Sequence, residues 1–237
     1  RIEVSLDGTD LVVEHTITGP LATSAAAWGI TQFPLGGAAL LSIAGEDTAQ
    51  TQPFSTVIPP LSPQRVAADQ VFGMTPEGRA VCRQMIEGLR NEGIFTPPSL
   101  EGTLVIPSNI GGAHWGGLAA DEQSGIAVVP VNRVAAMVQL IPAKGFDMVA
   151  ARQESNRLGQ GYEYTRMEGT PCVMRRRLLL WPGGVPCTPP PFGALVAVSL
   201  RTGERLWEAP LDTPNLGGPI ITAGRLVFMA GTLDRAI

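Results

Sequence analysis

The chain is poor in the residues on which several classes of protein depend. Aromatics make up 5% of its 237 residues and charged side chains 16%. With 17 Lys and Arg against 21 Asp and Glu, its net charge of -4 supplies no basic field for a phosphate backbone. The densest basic cluster is the short run "MRRR", Met174 to Arg177. Nucleic acid is therefore not an expected partner. Three cysteines, Cys82, Cys172 and Cys187, are too few for a disulfide-rich scaffold and lack the paired spacing of a zinc site. They allow one disulfide and one free thiol. His15 has no ligand-like neighbours for a metal. No apolar run approaches the ~18 to 20 residues of a membrane helix. The chain begins at Arg1 without methionine or a signal-like region and ends inside a strand-like run. It reads as a piece of a longer protein.

What is abundant points to one fold class. Glycine (28) and proline (21) together make about a fifth of the chain, which favours short strands and tight turns. Hydrophobic content of 44% and a mean hydropathy of +0.16 are enough for a sizeable core. The expectation is all-β. Residues 1–44 offer two short strands around Asp7 and Gly8 and are otherwise unassigned. Residues 45–100 hold a proline-rich strap, "EDTAQTQPFSTVIPPLSPQ", and the one helix with clear signals, "TPEGRAVCRQMIEGLRNEG". There Thr75 caps, Pro76 suits the first turn, and Ala80, Val81, Met85, Ile86 and Leu89 form an apolar stripe.

Residues 101–237 change pattern to eight short apolar segments, from "GTLVIPS" to "RLVFMAG", separated by turn residues. Two of the hairpins repeat a unit. "LAADEQSGIAVVPV" and "VAVSLRTGERLWEA" each carry a polar residue, then Ser or Thr followed by Gly, between strands: Asp121 to Gly125 and Ser199 to Gly203. A hairpin unit recurring in this way is the mark of a β-propeller blade.

The run "ALVAVSLRTGERLW" resembles the tryptophan docking motif of the quinoprotein dehydrogenases, eight-bladed propellers that bind pyrroloquinoline quinone. Three stretches, "NEGIFTPPSLEGTLVIPSNIGGAHWGGLAADEQSGIAVV", "GVPCTPPPFGALVAV" and "TPNLGGPIITAGRLVFMAGTLDR", resemble the membrane-bound glucose, quinate and shikimate dehydrogenase branch, from about Gly45 onward. The resemblance implies a partial propeller of about three blades, C-terminally truncated, with the helix inserted. It implies a dehydrogenase oxidising a sugar or polyol-type alcohol on the periplasmic face of a membrane-anchored protein and passing electrons to membrane quinone. Pyrroloquinoline quinone is the expected cofactor, with calcium or magnesium held by ligands mostly outside this chain. The catalytic aspartate of the family also lies outside the matched region, so no catalytic or metal-binding residue is assigned here and the isolated chain is expected to be inactive. Ser199 departs from the docking motif, where the family carries aspartate.

In "SNIGGAHWGG", Asn109 precedes Trp115 by six residues, as in the membrane-bound glucose dehydrogenases, and the resemblance makes both cofactor contacts. His114 stands where other members place asparagine beside the tryptophan and is a further candidate. Gly217 and Gly218 of "NLGGP" are expected to line the same pocket. Structural readings stand beside each: Trp115 as blade packing, His114 as a satisfied turn histidine, Asn109 as a turn residue and "NLGGP" as a tight loop. "MRRR" reads as solvated strand-end charge, with an acidic substrate as its other use. The rival to the enzyme is a non-catalytic propeller serving as a scaffold or binding module.

Overall fold

The computed structural model describes residues 2–7, 10–15, 36–40, 51–55, 58–93, 96–181 and 183–231, the first four stretches as backbone. The chain divides into two units, Arg1–Pro34 and Leu35–Ile237. In the first, β1 (Ile2–Asp7) and β2 (Asp10–His15) pair as an antiparallel hairpin, at the position that the sequence suggests.

The second unit opens with β3 (Gly36–Leu40) and β4 (Thr51–Ser55), which pair antiparallel. The expected strap thus contains a strand, β4. Its later part lies across other elements: the Ser62 hydroxyl donates to the Asn132 carbonyl at 2.9 Å, and Leu61 packs on a buried valine cluster. Helix α1 (Pro76–Glu87) follows, its first turn closed by Thr75, whose Oγ1 accepts from the Gly78 N–H at 3.1 Å. The apolar stripe is rotated from the expected one. Gly78, Cys82 and Ile86 are the buried positions, and Ala80 faces outward. The cause is covalent and steric: Cys82 is bonded to Cys187, and Gly78 lies flat against the Trp181 ring, where a Cβ would come within 2.9 Å of it.

Next come β5 (Thr103–Val105), β6 (Ala119–Asp121), β7 (Ile126–Asn132) and β8 (Ala136–Pro142). Helix α2 (Met148–Arg157), β9 (Glu163–Arg166) and β10 (Cys172–Leu178) follow. The run ends with β11 (Gly193–Ser199), β12 (Arg205–Leu211), β13 (Pro219–Ile221) and β14 (Val227–Met229). From β5 onward these form two four-stranded antiparallel sheets, β5-β8-β10-β9 and β12-β11-β7-β6, and the hairpin β13-β14. The fold is all-β, a partial propeller, as expected.

Two helices are present among the described residues, not one. Helix α2 escapes a periodicity search because Ser155 is its only buried residue, so it has no apolar stripe; Asp147, accepting from the N–H groups of Val149 and Ala150 at 3.0 Å, starts it instead. β9 and β10 also lie outside the eight expected segments. "MRRR" is not a strand end: it runs through β10, which pairs with β8 on one side and β9 on the other.

The repeated hairpin is present in both copies. The Gly125 N–H donates to the Asp121 carbonyl and the Gly203 N–H to the Ser199 carbonyl, each at 2.9 Å, with φ of +69° and +76° at the glycines. Ser199 does the work of Asp121: its hydroxyl accepts from the N–H groups of Arg201 and Thr202, as Asp121 accepts from Gln123. In the other copy Ser124 donates to Asp121, and this bond chiefly holds the Asp121 carboxyl below the ordinary carboxylate range.

Two clusters form the core. One gathers Val66, Ile86, Leu104, Met137 and Leu179 around the disulfide; the other stacks Val129 and Val131 of β7 on Ala194, Val196 and Val198 of β11. Outside the second, Arg133 bridges to Glu208 of β12 at 2.7 Å with both side chains largely buried. The Arg133 hydrogen bond, more than any other group, holds the Glu208 carboxyl below the ordinary range. A depressed carboxylate adds stability above its unfolded pKa, about 4.3 for Glu, and that gain is lost as pH falls through the folded value. Glu208→Gln is therefore expected to cost about 1 kcal/mol at pH 7 and progressively less below about pH 4. Denaturant melts at pH 7 and pH 3.5 check this; a deficit that persists unchanged in acid contradicts it.

Candidate functional site

The loop of residues 106–118, between β5 and β6, is laid against the end of β7 by main-chain bonds. Ser108 donates to the Val134 carbonyl, Gly111 to that of Ser108, and Asn132 to that of Gly112, all at 2.9 Å. This places His114 over a buried amide pair. Its Nδ1 accepts from the Gly116 N–H at 3.0 Å, so the proton is on Nε2, which donates to Asn215 Oδ1 at 2.7 Å. Asn215 and Asn132, both fully buried, are cross-bonded. The Asn215 N–H donates to Asn132 Oδ1 at 2.7 Å, and Asn132 Nδ2 donates to the Asn215 carbonyl at 2.8 Å. Asn215 Nδ2 also donates to the Val131 carbonyl at 3.2 Å. Every polar group of this network has a partner, as a buried network needs.

Glycines let the two loops meet. A Cβ on Gly218 would stand 2.2 Å from the Gly116 carbonyl oxygen, and one on Gly217 would stand 1.5 Å from that of Ala230. Close approach of backbone to backbone uses up the space that a side chain would need. The result is a rigid pedestal from which Trp115 projects, 85% exposed.

The structure thus brings His114 together with the "NLGGP" run, through the bond to Asn215 and the contact of Gly116 with Gly218. Asn109 goes elsewhere. It is exposed and lines a cleft of about 640 Å³ with Gln160, Glu163, Arg176, Arg177 and Trp181; Trp115 does not line that cleft. In the cleft wall Arg176 is paired with Glu163 at 2.8 Å. Arg177 lies over the Tyr162 ring, 4.6 Å from its centre, and has no acidic partner among the described residues. Arg177 Nε and Trp181 Nε1 are buried with no hydrogen-bond partner among the described residues. Among the described residues no three His, Cys, Asp or Glu side chains gather to hold a metal, and no helix is long and apolar enough to cross a membrane.

Asn132, Arg177 and Trp181 are absent from the sequence-derived site. An asparagine closing the apolar run "GIAVVPVN" is the one local signal for the first. Arg177 is marked only as the last residue of the "MRRR" run, and nothing local marks Trp181, whose neighbourhood distant pairings create.

Comparison with known proteins adds a family. The model of the glucose/ethanol/alcohol dehydrogenase β-propeller domain of pyrroloquinoline quinone proteins matches residues 28–237, reaching back beyond Gly45, where the motif resemblance begins. The quinate/shikimate dehydrogenase (quinone) of Acinetobacter baylyi is 29% identical over 211 residues, which are 81% of this chain and 26% of that protein. The quinoprotein glucose dehydrogenase of Escherichia coli is 32% identical over 209 residues, 80% of this chain and 26% of that one. The glycerol dehydrogenase large subunit of Gluconobacter oxydans is 29% identical over 226 residues, 82% of this chain and 30% of the subunit. The chain spans about a quarter of the length of the first curated relatives it matches.

Proposed function

The chain belongs to the pyrroloquinoline quinone-dependent glucose/ethanol/alcohol dehydrogenase β-propeller family, and on that premise we propose that it forms part of a dehydrogenase oxidising a sugar or polyol-type alcohol of the glucose, quinate or shikimate class. The alcohol gives up two electrons and two protons to become a carbonyl, and membrane quinone, the final acceptor, is reduced to the quinol by two electrons and two protons. The observation that carries this reading is Trp115: a large apolar ring, 85% exposed, on a pedestal of buried hydrogen bonds. An exposed ring so firmly mounted suits a flat ligand.

The residues present fit a planar polyanionic quinone. Trp115 offers ring surface, with His114, Gly217 and Gly218 setting its direction, and Asn109 would offer an amide to the cofactor's edge from the neighbouring cleft, which Trp115 does not line. When bound, the quinone supplies the two-electron acceptor, and a divalent cation held mostly by residues outside this chain accompanies it. This chain contributes binding and orientation, and we assign it no catalytic base. The Cys82–Cys187 disulfide supports a periplasmic position, because such bonds persist in oxidising compartments.

The full-length protein loaded with pyrroloquinoline quinone and calcium is expected to reduce an artificial acceptor with at least one of glucose, quinate, shikimate or glycerol. A cofactor-loaded protein inert towards all four overturns the assignment. Within it, Asn109→Ala is expected to weaken cofactor binding by about 1 to 3 kcal/mol, through loss of one amide partner. Trp207→Ala, in the half-exposed strand β12, is expected to act on stability instead. Titrating the cofactor into both folded variants separates the two effects; equal affinities remove Asn109 from the cofactor site.

A further inference from the structure

His114 is the only titratable side chain in the loop of residues 106–118 that carries Trp115. It is buried and boxed in: a Cβ on Gly111 would stand 2.8 Å from His114 Cβ, and one on Gly116 would stand 2.7 Å from Cε1. The ring is tied at both nitrogens, Nδ1 accepting from the Gly116 N–H at 3.0 Å and Nε2 donating to Asn215 Oδ1 at 2.7 Å. Trp115 and Gly116 are the central residues of the turn that this ring braces, in which the Gly117 N–H donates to the His114 carbonyl at 3.1 Å. A second proton has one place to go, Nδ1, and an imidazolium has two donors and no acceptor. Two N–H groups then face each other, and the packed glycines leave the ring no room to turn. The Gly116 N–H must move. The exposed Trp115, fixed by its backbone alone, moves with it.

We infer that His114 is a pH-sensitive positioning residue: neutral, it holds Trp115 in the direction that seats the cofactor, and protonated, it releases Trp115 and weakens that seat. The inference rests on the proposed cofactor seat at Trp115 for its ligand and on the two bonds of the ring for its mechanism. Charged groups on the segments around the loop are few. Arg65 follows the strap, Asp121 ends β6, Arg133 follows β7, Asp212 precedes the "NLGGP" run, and Arg225 lies in the turn between β13 and β14. Arg133 is paired with Glu208 and Asp121 accepts from Ser124. None of them is bonded to the His114 ring. Of these types of group, only an imidazole ordinarily changes charge between pH 5 and 8. Protonation costs the Asn215 bond nothing, since Nε2 donates in both states. The amide pair beneath therefore keeps its bonds while the Gly116 side of the ring is released, and the change stays local.

The test is a pH titration of the full-length protein, first without cofactor. The fluorescence of Trp115, taken as the difference between the protein and its Trp115→Phe variant, is expected to shift in one step between pH 8 and 5. His114→Asn is expected to abolish the step, because an asparagine side chain accepts from the N–H two residues on and does not titrate. Affinity for pyrroloquinoline quinone, measured by calorimetry, is expected to fall about fivefold over the same range, the effect of one lost hydrogen bond, in the protein but not in His114→Asn. A flat Trp115 signal in the unaltered protein overturns the proposal, whether or not the asparagine variant folds. So does a step of the same size and midpoint in His114→Asn, since another group then titrates. A step that depends on His114, with cofactor affinity the same at both ends of the range, upholds the switch and rejects the cofactor seat at Trp115 alone.

Discussion

Cys82→Ala is expected to lower the stability of the folded protein by about 3 to 5 kcal/mol, a large share of what a domain of this size has. The bond it removes joins α1 to the segment before β11 across a sequence separation of 105 residues, and both cysteines are fully buried. Closing a loop of about 100 residues restricts the unfolded chain by up to ~4.7 kcal/mol in the chain-entropy picture. In the folded state the bond sits inside a cluster with Ile86, Leu104, Met137 and Leu179. Loss of the sulfur adds a small cavity there. The same bond ties down α1, whose Gly78 packs on the Trp181 ring of the cleft wall. Cys172, half-buried and free, provides the control: Cys172→Ala is expected to change stability by less than about 1 kcal/mol. Denaturant unfolding of the oxidised protein, with and without reductant, measures the first effect. Coincident curves would show that the bond contributes nothing.

The second large effect is at the pedestal. Asn215→Ala is expected to cost about 2 to 4 kcal/mol, because it strands His114 Nε2–H and withdraws a donor from the Val131 carbonyl, both in a region closed to water. The main-chain bond from Asn215 to Asn132 survives the substitution, so the loss is confined to the amide. Asn109→Ala, at an exposed position, is expected to move stability by no more than about 0.5 kcal/mol. The contrast separates the residue that builds the site from the one that faces a ligand. Thermal melts of the two variants, with Trp115 fluorescence as a local probe, read both. Melting temperatures displaced equally would mean that the His114–Asn215 bond has no special part in holding the loop.

How much of this could be foreseen depends on the range of the interactions involved. The eight short strands and the repeated hairpin were legible because their determinants are local. Alternating or continuous apolar runs mark the strands, and Gly125 and Gly203 take left-handed turns that any other residue enters at a cost. The start of α1 was legible for the same reason, since Thr75 and Pro76 act within one turn. Its buried face was not, because a disulfide to Cys187 and a tryptophan at position 181 choose which side turns inward. α2 carries its signal in one capping aspartate, and β10 carries three arginines that become strand residues only through pairing on both sides.

The site divides along the same line. Sequence by itself, through the glycine-framed "SNIGGAHWGG" and "NLGGP", singled out the two loops and the tryptophan in the first of them. Only tertiary structure decided that His114 is consumed in a bond to Asn215, 101 residues away, and that Trp115 is left exposed. Only tertiary structure placed Asn109 in a cleft with Arg177 and Trp181. The physical reason is that burial and the pairing of donors are properties of neighbourhoods, and here the neighbours come from segments far apart in the chain.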